Sequence, residues 1–458
     1  MRYLFFYILV IFCVSEITSQ TIDIKVNNLP EGKAQLSYLR GETFVKTDSV
    51  FSDEKGVFHY TFAKSSGHAG IYRLTIPGNK WIDFVNDNGE VNISTDAGNI
   101  QDSLKVNSSW INLIYYGFIR LNKQYKIKTD LLQLMLAKYP KDDDYYFMTR
   151  NKLLQMQKEY SAFVNNISQK NPKSFIARYI KTVQLPIIDI NLPMDKQLAY
   201  LKAHTLDKVD YNDDDLIYSD AFANKSIEYL TLFRNPQLTK ELLEKEFMSA
   251  VDTILNKAKV NQLVYQHVTE YLIDGFKKFG FDQIIDYIVD NYVIKDDICL
   301  DEKLQNSIQR RMDQAKHFKI GAIVPQIVIP DSTGKGMNLK EIITERTLII
   351  FYASWCPHCQ ELMPKINELY KNQDKWKMKI LAISIDTSRT DWLYFVRKNS
   401  FNMINVSDLK GWSGKAALDY YLYATPTMFI INNKQEVIAK PTNMEEVKKW
   451  MEWELDIK

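Results

Sequence analysis

The sequence predicts a multidomain α+β chain in which an N-terminal antiparallel β-sandwich is followed by an all-helical middle region and a C-terminal α/β layer domain. Three observations predict it. Apolar residues alternate with polar ones from Thr21 to about Asp96, recur at helical spacing from about Asp102 to His317, and gather into apolar runs separated by helical stretches after Gly321. The 458 residues suit about three domains, divided as a leader 1–19, a β-sandwich 20–101, a helical domain 102–317 and an α/β domain 318–458. Hydrophobic residues at 46%, charged residues at 25% and a mean hydropathy of −0.28 exclude a polytopic membrane protein. The net charge of +2 gives no reason to expect a nucleic-acid partner, and the abundant Tyr and Phe read as core residues in the absence of a basic stripe.

Met1-Arg2, the apolar run Tyr3 to Val14 and the segment Ser15 to Gln20 read as a secretory signal peptide cut near Ser19. The run is short for a membrane span, so no stable span is expected after its removal. The implied location is the periplasm, with outer-membrane association as the alternative. Lipidation at Cys13 would want a small preceding residue, and Phe12 fills that place. The mature chain keeps Cys299, Cys356 and Cys359, too few for a disulfide framework.

In the first domain the alternation runs through Ile22, Ile24 and Val26, then Ala34, Leu36 and Tyr38, then Phe58, Tyr60 and Phe62, then Tyr72, Leu74 and Ile76. Turn residues separate these strands at 28–32, 53–56, 77–79 and 86–89. His59 and His68 stand alone and read as structural or solvated. In the middle region Trp110, Leu113, Ile114, Phe118 and Leu121 mark a helix face. Pro140, Pro172, Pro186, Pro193 and Pro236 mark its breaks, because proline disfavours helix in the residue before it. The acidic runs Asp142 to Asp144 and Asp213 to Asp215 lack the spaced oxygens and glycine of a calcium loop and read as solvated turns before helices. Cys299 is expected to be a small buried residue, with a regulatory thiol as the alternative.

The last domain opens with a hairpin of Ile327 to Pro330 and Met337 to Leu339. Strands follow at Thr347 to Tyr352, Ile380 to Ile385, Met428 to Ile431 and Val437 to Lys440, with helices at Cys356 to Asn372, Ser388 to Asn399, Lys415 to Tyr421 and Met444 to Leu455. Between the first strand and first helix lies Trp355-Cys356-Pro357-His358-Cys359. A helix N-terminus stabilises an anion, so Cys356 is the expected nucleophile. Cys359, three residues on along the same face, is the expected resolving thiol, and the couple needs no cofactor beyond its own Cys356–Cys359 disulfide. Half of a zinc site is the bland reading of this spacing, but no second ligand pair accompanies it, so no metal is expected.

From about Gly321 onward these residues resemble the thioredoxin superfamily, specifically TlpA/ResA-type thiol:disulfide oxidoreductases of bacterial envelopes. Pro364 falls where that family kinks its active-site helix, and Ala424-Thr425-Pro426-Thr427 resembles its cis-proline loop. The resemblance implies that Thr425 and Pro426 dock the partner, and that the partners are protein disulfides or dithiols together with an electron-donor dithiol of the envelope. The first domain is similar in pattern and position to the domain of unknown function that precedes TlpA-like domains in Bacteroidetes chains.

Trp355, Pro357 and His358 are expected to tune the couple. An imidazolium at His358 would favour the reduced form, although His358 also reads as an ordinary solvated residue. The chain departs from its relatives at Ile350, where thioredoxin keeps a buried aspartate, and at Leu362, where ResA-type proteins keep a glutamate. Glu361, His358 and water are then the candidate proton acceptors for Cys359. The leading expectation is a reductase of protein disulfides. The alternatives are an oxidase or isomerase with the same site, and an envelope binding protein whose thioredoxin-like region is an end domain.

Overall fold

The computed structural model describes residues 21–62, 67–87, 89–190, 192–371 and 378–452. The expected signal peptide, with Cys13 and the cut near Ser19, lies outside the described residues. The chain forms two compact units, Met1–Tyr271 and Leu272–Lys458.

The first unit opens with β1 (Thr21–Asn27), β2 (Lys33–Arg40), β3 (Thr43–Phe51), β4 (Val57–Thr61), β5 (Gly70–Ile76), β6 (Lys80–Asn86) and β7 (Val91–Asp96); the short helix α1 (Ile100–Ser103) then leads to β8 (Lys105–Ser108). They make two four-stranded sheets, ordered β4-β1-β7-β8 and β3-β2-β5-β6. Ile22, Ile24 and Phe58 from one sheet and Leu36, Leu74 and Phe84 from the other share one core, as a sandwich requires. The expected antiparallel pairing holds except between β1 and β7, which run parallel. The turn before β4 needs glycine at Gly56. Its φ is +74°, and a Cβ there would meet the Val26 carbonyl oxygen at 2.8 Å.

The helices are α2 (Trp110–Lys138), α3 (Asp144–Lys170), α4 (Phe175–Val183), α5 (Met194–His204), α6 (Ala221–Thr231), α7 (Lys240–Ala258) and α8 (Gln262–Lys278), within which the boundary between the units falls. Ser109, Asp143, Ser174 and Thr239 cap α2, α3, α4 and α7 by accepting hydrogen bonds from first-turn amides. Helices α2 and α3 end just before Tyr139-Pro140 and Asn171-Pro172. The second acidic run differs from expectation. Asp213 and Asp215 both pair with Arg178, and the Asp213 side chain is buried in that pair, so the run is a structural clamp rather than a solvated turn. His59 pairs with Asp23 at 2.6 Å, and His68 stacks on Tyr218 with ring centroids 3.4 Å apart.

In the second unit α9 (Asp282–Ile288) runs into a π turn at Val289–Val293, and α10 (Glu302–His317) follows. Cys299 sits between them and is exposed, contrary to the expectation of a buried thiol. Leu300 beside it is buried, so this segment without regular structure turns its leucine inward and its thiol outward. The hairpin β9 (Val328–Pro330) and β10 (Gly336–Asn338), with the one-turn helix α11 (Leu339–Ile342), precedes the main sheet. That sheet combines β11 (Arg346–Tyr352), β12 (Met378–Ser384), β13 (Ile404–Ser407), β14 (Thr427–Asn432) and β15 (Val437–Ala439) in the order β13-β12-β11-β14-β15. Strands β11, β12 and β13 run parallel, while β14 and β15 are antiparallel additions. The helices are α12 (Pro357–Tyr370), α13 (Arg389–Lys398), α14 (Lys415–Asp419) and α15 (Met444–Glu452). Every residue of β11 is buried, as expected for a central strand covered on both faces. Burying each of its large apolar side chains contributes roughly 1.5–3 kcal/mol. That anchors the strand whose end delivers the cysteines.

Candidate active site

Strand β11 ends at Tyr352, and the chain turns through Ala353, Ser354 and Trp355 so that Cys356 becomes the N-cap residue of α12 with Pro357 in its first turn. Proline is tolerated there because its missing N–H would have no intrahelical partner. The Cys356 amide donates to the Ala353 carbonyl at 3.2 Å, and Gln360 Nε2 donates to the Ser354 carbonyl at 2.7 Å, closing the turn. Pro364 lies inside α12.

Cys356 and Cys359 are both buried. Cys356 keeps 6% of its surface exposed and Cys359 none. Trp355, Pro357 and His358 stand around the opening with their side chains exposed, Trp355 at 56%. An attacking partner therefore meets Cys356 first and reaches Cys359 only through it. The Thr425–Pro426 peptide is cis, and the Thr425 carbonyl accepts a hydrogen bond from Cys356 Sγ at 3.3 Å. Elements 69 residues apart in sequence thus meet at one sulfur.

Electrostatics separate the two thiols. Burial alone would push Cys356 up, but hydrogen bonds from the Thr425 side chain, the Cys359 amide and thiol, and the His358 amide outweigh it, and the thiol lies below its ordinary value. Burial pushes Cys359 far above the ordinary thiol range, and the neighbouring Cys356 sulfur adds to the effect. Of the two, Cys356 is the thiol that ionises more readily, while Cys359 keeps its proton.

Glu361 is not brought to this pair. Its carboxylate is exposed and bound to Lys365 at 2.7 Å, and that lysine holds it below the usual carboxylate range. Leu362 packs against the domain core instead of presenting an acid.

The buried acid of this site is one the sequence reading did not single out. Asp386 follows β12, is 1% exposed, and accepts from the Ser354 amide at 3.1 Å, the Ser354 hydroxyl at 2.7 Å and the Ser384 hydroxyl at 2.6 Å. A buried carboxylate with three donors fixes the turn that carries Trp355 and Cys356. Its signal was a lone acid at the end of the apolar run Ile380 to Ile385. Nearby, Trp392 Nε1 donates to the Tyr352 hydroxyl at 2.9 Å, and that hydroxyl donates to Asn405 at 3.1 Å, tying α13 and β13 to the end of β11. A cleft of about 400 Å³ is lined by Ser354, Trp355, Gln360, Tyr394 and Phe395, on the turn that leads into Cys356. Among the described residues no cluster of side chains suited to a metal occurs.

Residues 320–440 match the AhpC/TSA family. Among curated proteins the chain is 27% identical over 132 residues to the thiol-disulfide oxidoreductase ResA of Bacillus cereus, covering 29% of this chain and 75% of that protein. It is 26% identical over 114 residues to the sporulation thiol-disulfide oxidoreductase A of Bacillus subtilis, covering 24% of this chain and 67% of that protein. Among solved structures it is similar to a thioredoxin-like protein from Bacteroides caccae, at 19% identity and a TM-score of 0.38, covering 59% of this chain and 98% of that one. A thiol-disulfide oxidoreductase from Bacteroides fragilis is matched at 21% identity and a TM-score of 0.25, covering 30% of this chain and 98% of that one.

Proposed function

We propose that this chain, a thiol-disulfide oxidoreductase whose C-terminal domain belongs to the ResA/TlpA-like branch of the thioredoxin superfamily, reduces protein disulfides in the periplasm. The observation that supports it most is the asymmetry of the pair. Cys356 keeps 6% of its surface exposed, is held at a helix N-terminus and ionises more readily than an ordinary thiol, while Cys359 is fully buried and protonated. The leader composition of residues 1–19 supports export, and no described helix is long and apolar enough to cross a membrane.

In the reductive direction the Cys356 thiolate attacks one sulfur of a partner disulfide. The partner S–S bond breaks, a Cys356–partner bond forms, and the other partner sulfur leaves as a thiolate that takes up a proton. Cys359 then loses its proton and attacks Cys356 Sγ, the mixed disulfide breaks, and the partner departs as a dithiol. Two electrons have passed to the partner, and Cys356–Cys359 is left as a disulfide for an envelope dithiol donor to reduce. The Thr425 and Pro426 edge docks the partner while Trp355, Pro357 and His358 set the potential. With Glu361 tied to Lys365, the proton of Cys359 goes to the departing sulfur, to water or to His358.

Turnover of insulin disulfides by the wild type with dithiothreitol as electron source, and its loss in Cys356→Ser, tests the activity. The reduction potential tests the direction. Thioredoxin lies near about −270 mV and DsbA near about −120 mV, a gap of roughly 7 kcal/mol. A value near the lower figure supports the reductase, and one near the higher replaces it with the oxidase reading.

A further inference from the structure

The loop that brings Thr425 to Cys356 is held from outside the main sheet and its flanking helices. Helix α10, more than a hundred residues earlier in the chain, grips the approach to it. Gln314 is buried, and its Nε2 donates to the Tyr420 carbonyl at 2.9 Å and the Tyr421 carbonyl at 3.4 Å. Arg310 donates to the Leu422 carbonyl at 3.3 Å. Three successive carbonyls after α14 are thereby satisfied by side chains of one helix, and each would otherwise cost a desolvation penalty. The next residue is held as well. The Tyr423 hydroxyl donates to Asp286 Oδ1 at 2.6 Å, and Arg311 binds the same oxygen at 2.6 Å while its guanidinium lies 4.4 Å from the Tyr423 ring centroid. Arg311 also reaches Asp282 at 2.8 Å, so the cluster is anchored in α9. His317 stacks on Tyr421, with ring centroids 4.8 Å apart.

Tyr423 is two residues from Thr425, and a chain gripped through residue 423 has little freedom to move the carbonyl at 425. From this placement we infer that Gln314 and the Tyr423–Asp286–Arg311 cluster are positioning residues of the redox site, fixing the Thr425 edge on which the partner protein docks. The inference rests on the function proposed above. Helices α9 and α10 then act as a brace for partner binding, holding the Thr425 edge in the place the partner meets.

The test uses the full mature chain with insulin as the disulfide substrate and dithiothreitol as electron source, comparing wild type with Gln314→Leu and Tyr423→Phe. Tyr423→Phe keeps the ring over Arg311 and removes only the hydroxyl. Leu304→Ala, a truncation of a buried α10 residue that makes none of these contacts, reports general destabilisation. The expected result is a KM for insulin raised about five-fold or more in both brace variants, with kcat within two-fold of wild type, because a lost binding contact raises KM alone. Leu304→Ala should lower the melting temperature while leaving KM within two-fold. A KM that stays at the wild-type value in both brace variants overturns the inference, as does a rise of the same size in Leu304→Ala. A wild type that reduces no insulin sinks the proposed function, and the brace with it.

Discussion

The two units bury polar groups for different ends. In the first, Arg178 is locked between Asp213 and Asp215, and His267 is packed away uncharged, 5% exposed, with no hydrogen-bond partner at Nε2 among the described residues. In the second, Asp386, Gln314 and Arg311 all lead to one turn or one loop, and between these lies Cys356, which keeps 6% of its surface exposed. Burial by itself therefore does not mark a site. Burial that converges on a charge-stabilised sulfur does.

The sharpest way to break that contrast is to remove the atom. Cys356→Ser should abolish insulin reduction while leaving the far-UV circular dichroism and melting temperature of the chain unchanged. Residual turnover would place the chemistry elsewhere. The support beneath the turn comes next. Asp386→Ala leaves the Ser354 amide and the Ser354 and Ser384 hydroxyls without their acceptor, and should cost on the order of 2 kcal/mol in urea unfolding together with a clear fall in turnover. A variant that loses stability but keeps full activity would make Asp386 a fold residue like Arg178.

For the first unit the corresponding effect is acid lability. Burial, with Arg40 nearby, pushes His267 down to about 4 from an ordinary value of 6.5. Above pH 6.5 both folded and unfolded chains hold a neutral imidazole, and the associated stability is fully present. Between 6.5 and 4 the unfolded chain takes up a proton that the folded chain refuses, so stability falls as pH drops, by about 3 kcal/mol in all. His267→Phe should flatten this part of the pH profile in urea titrations. A profile identical to wild type would mean the imidazole is not what the acid acts on.

A further measurement separates the sulfurs without altering the site. In a Cys299→Ser background, iodoacetamide should modify Cys356 and spare Cys359 at neutral pH. The rate should fall with pH through a midpoint below the ordinary thiol value of 9.0, because the thiolate is the reactive form. Cys299→Ser itself should change turnover least, since that exposed thiol lies in a segment without regular structure between α9 and α10.

What the sequence made legible follows from the range of the interactions. Strand β1 shows the alternation that identified it, with Ile22, Ile24 and Val26 buried, because side-chain direction is a local property. Strand β3 went unread because its edge position leaves most of Thr43–Phe51 exposed or half-exposed, with Lys46 and Asp48 in its middle. The parallel register of β1 on β7 and the existence of the short strand β13 depend on partners far along the chain. The same holds at the site. Cys356, Cys359, Thr425 and Pro426 stand in two short motifs and could be named from them. Asp386 is 32 residues from Ser354, and Gln314 is 106 from Tyr420. Helical periodicity announces α10 without saying which loop it will hold.

The proposed exchange requires a covalent bond between Cys356 and another protein's sulfur. Cys359→Ser, mixed in its reduced form with insulin and mapped by mass spectrometry, should hold a stable disulfide between Cys356 and an insulin cysteine, with Cys299 unmodified. Failure of any adduct to form at Cys356, or its formation only at Cys299, would contradict the assignment.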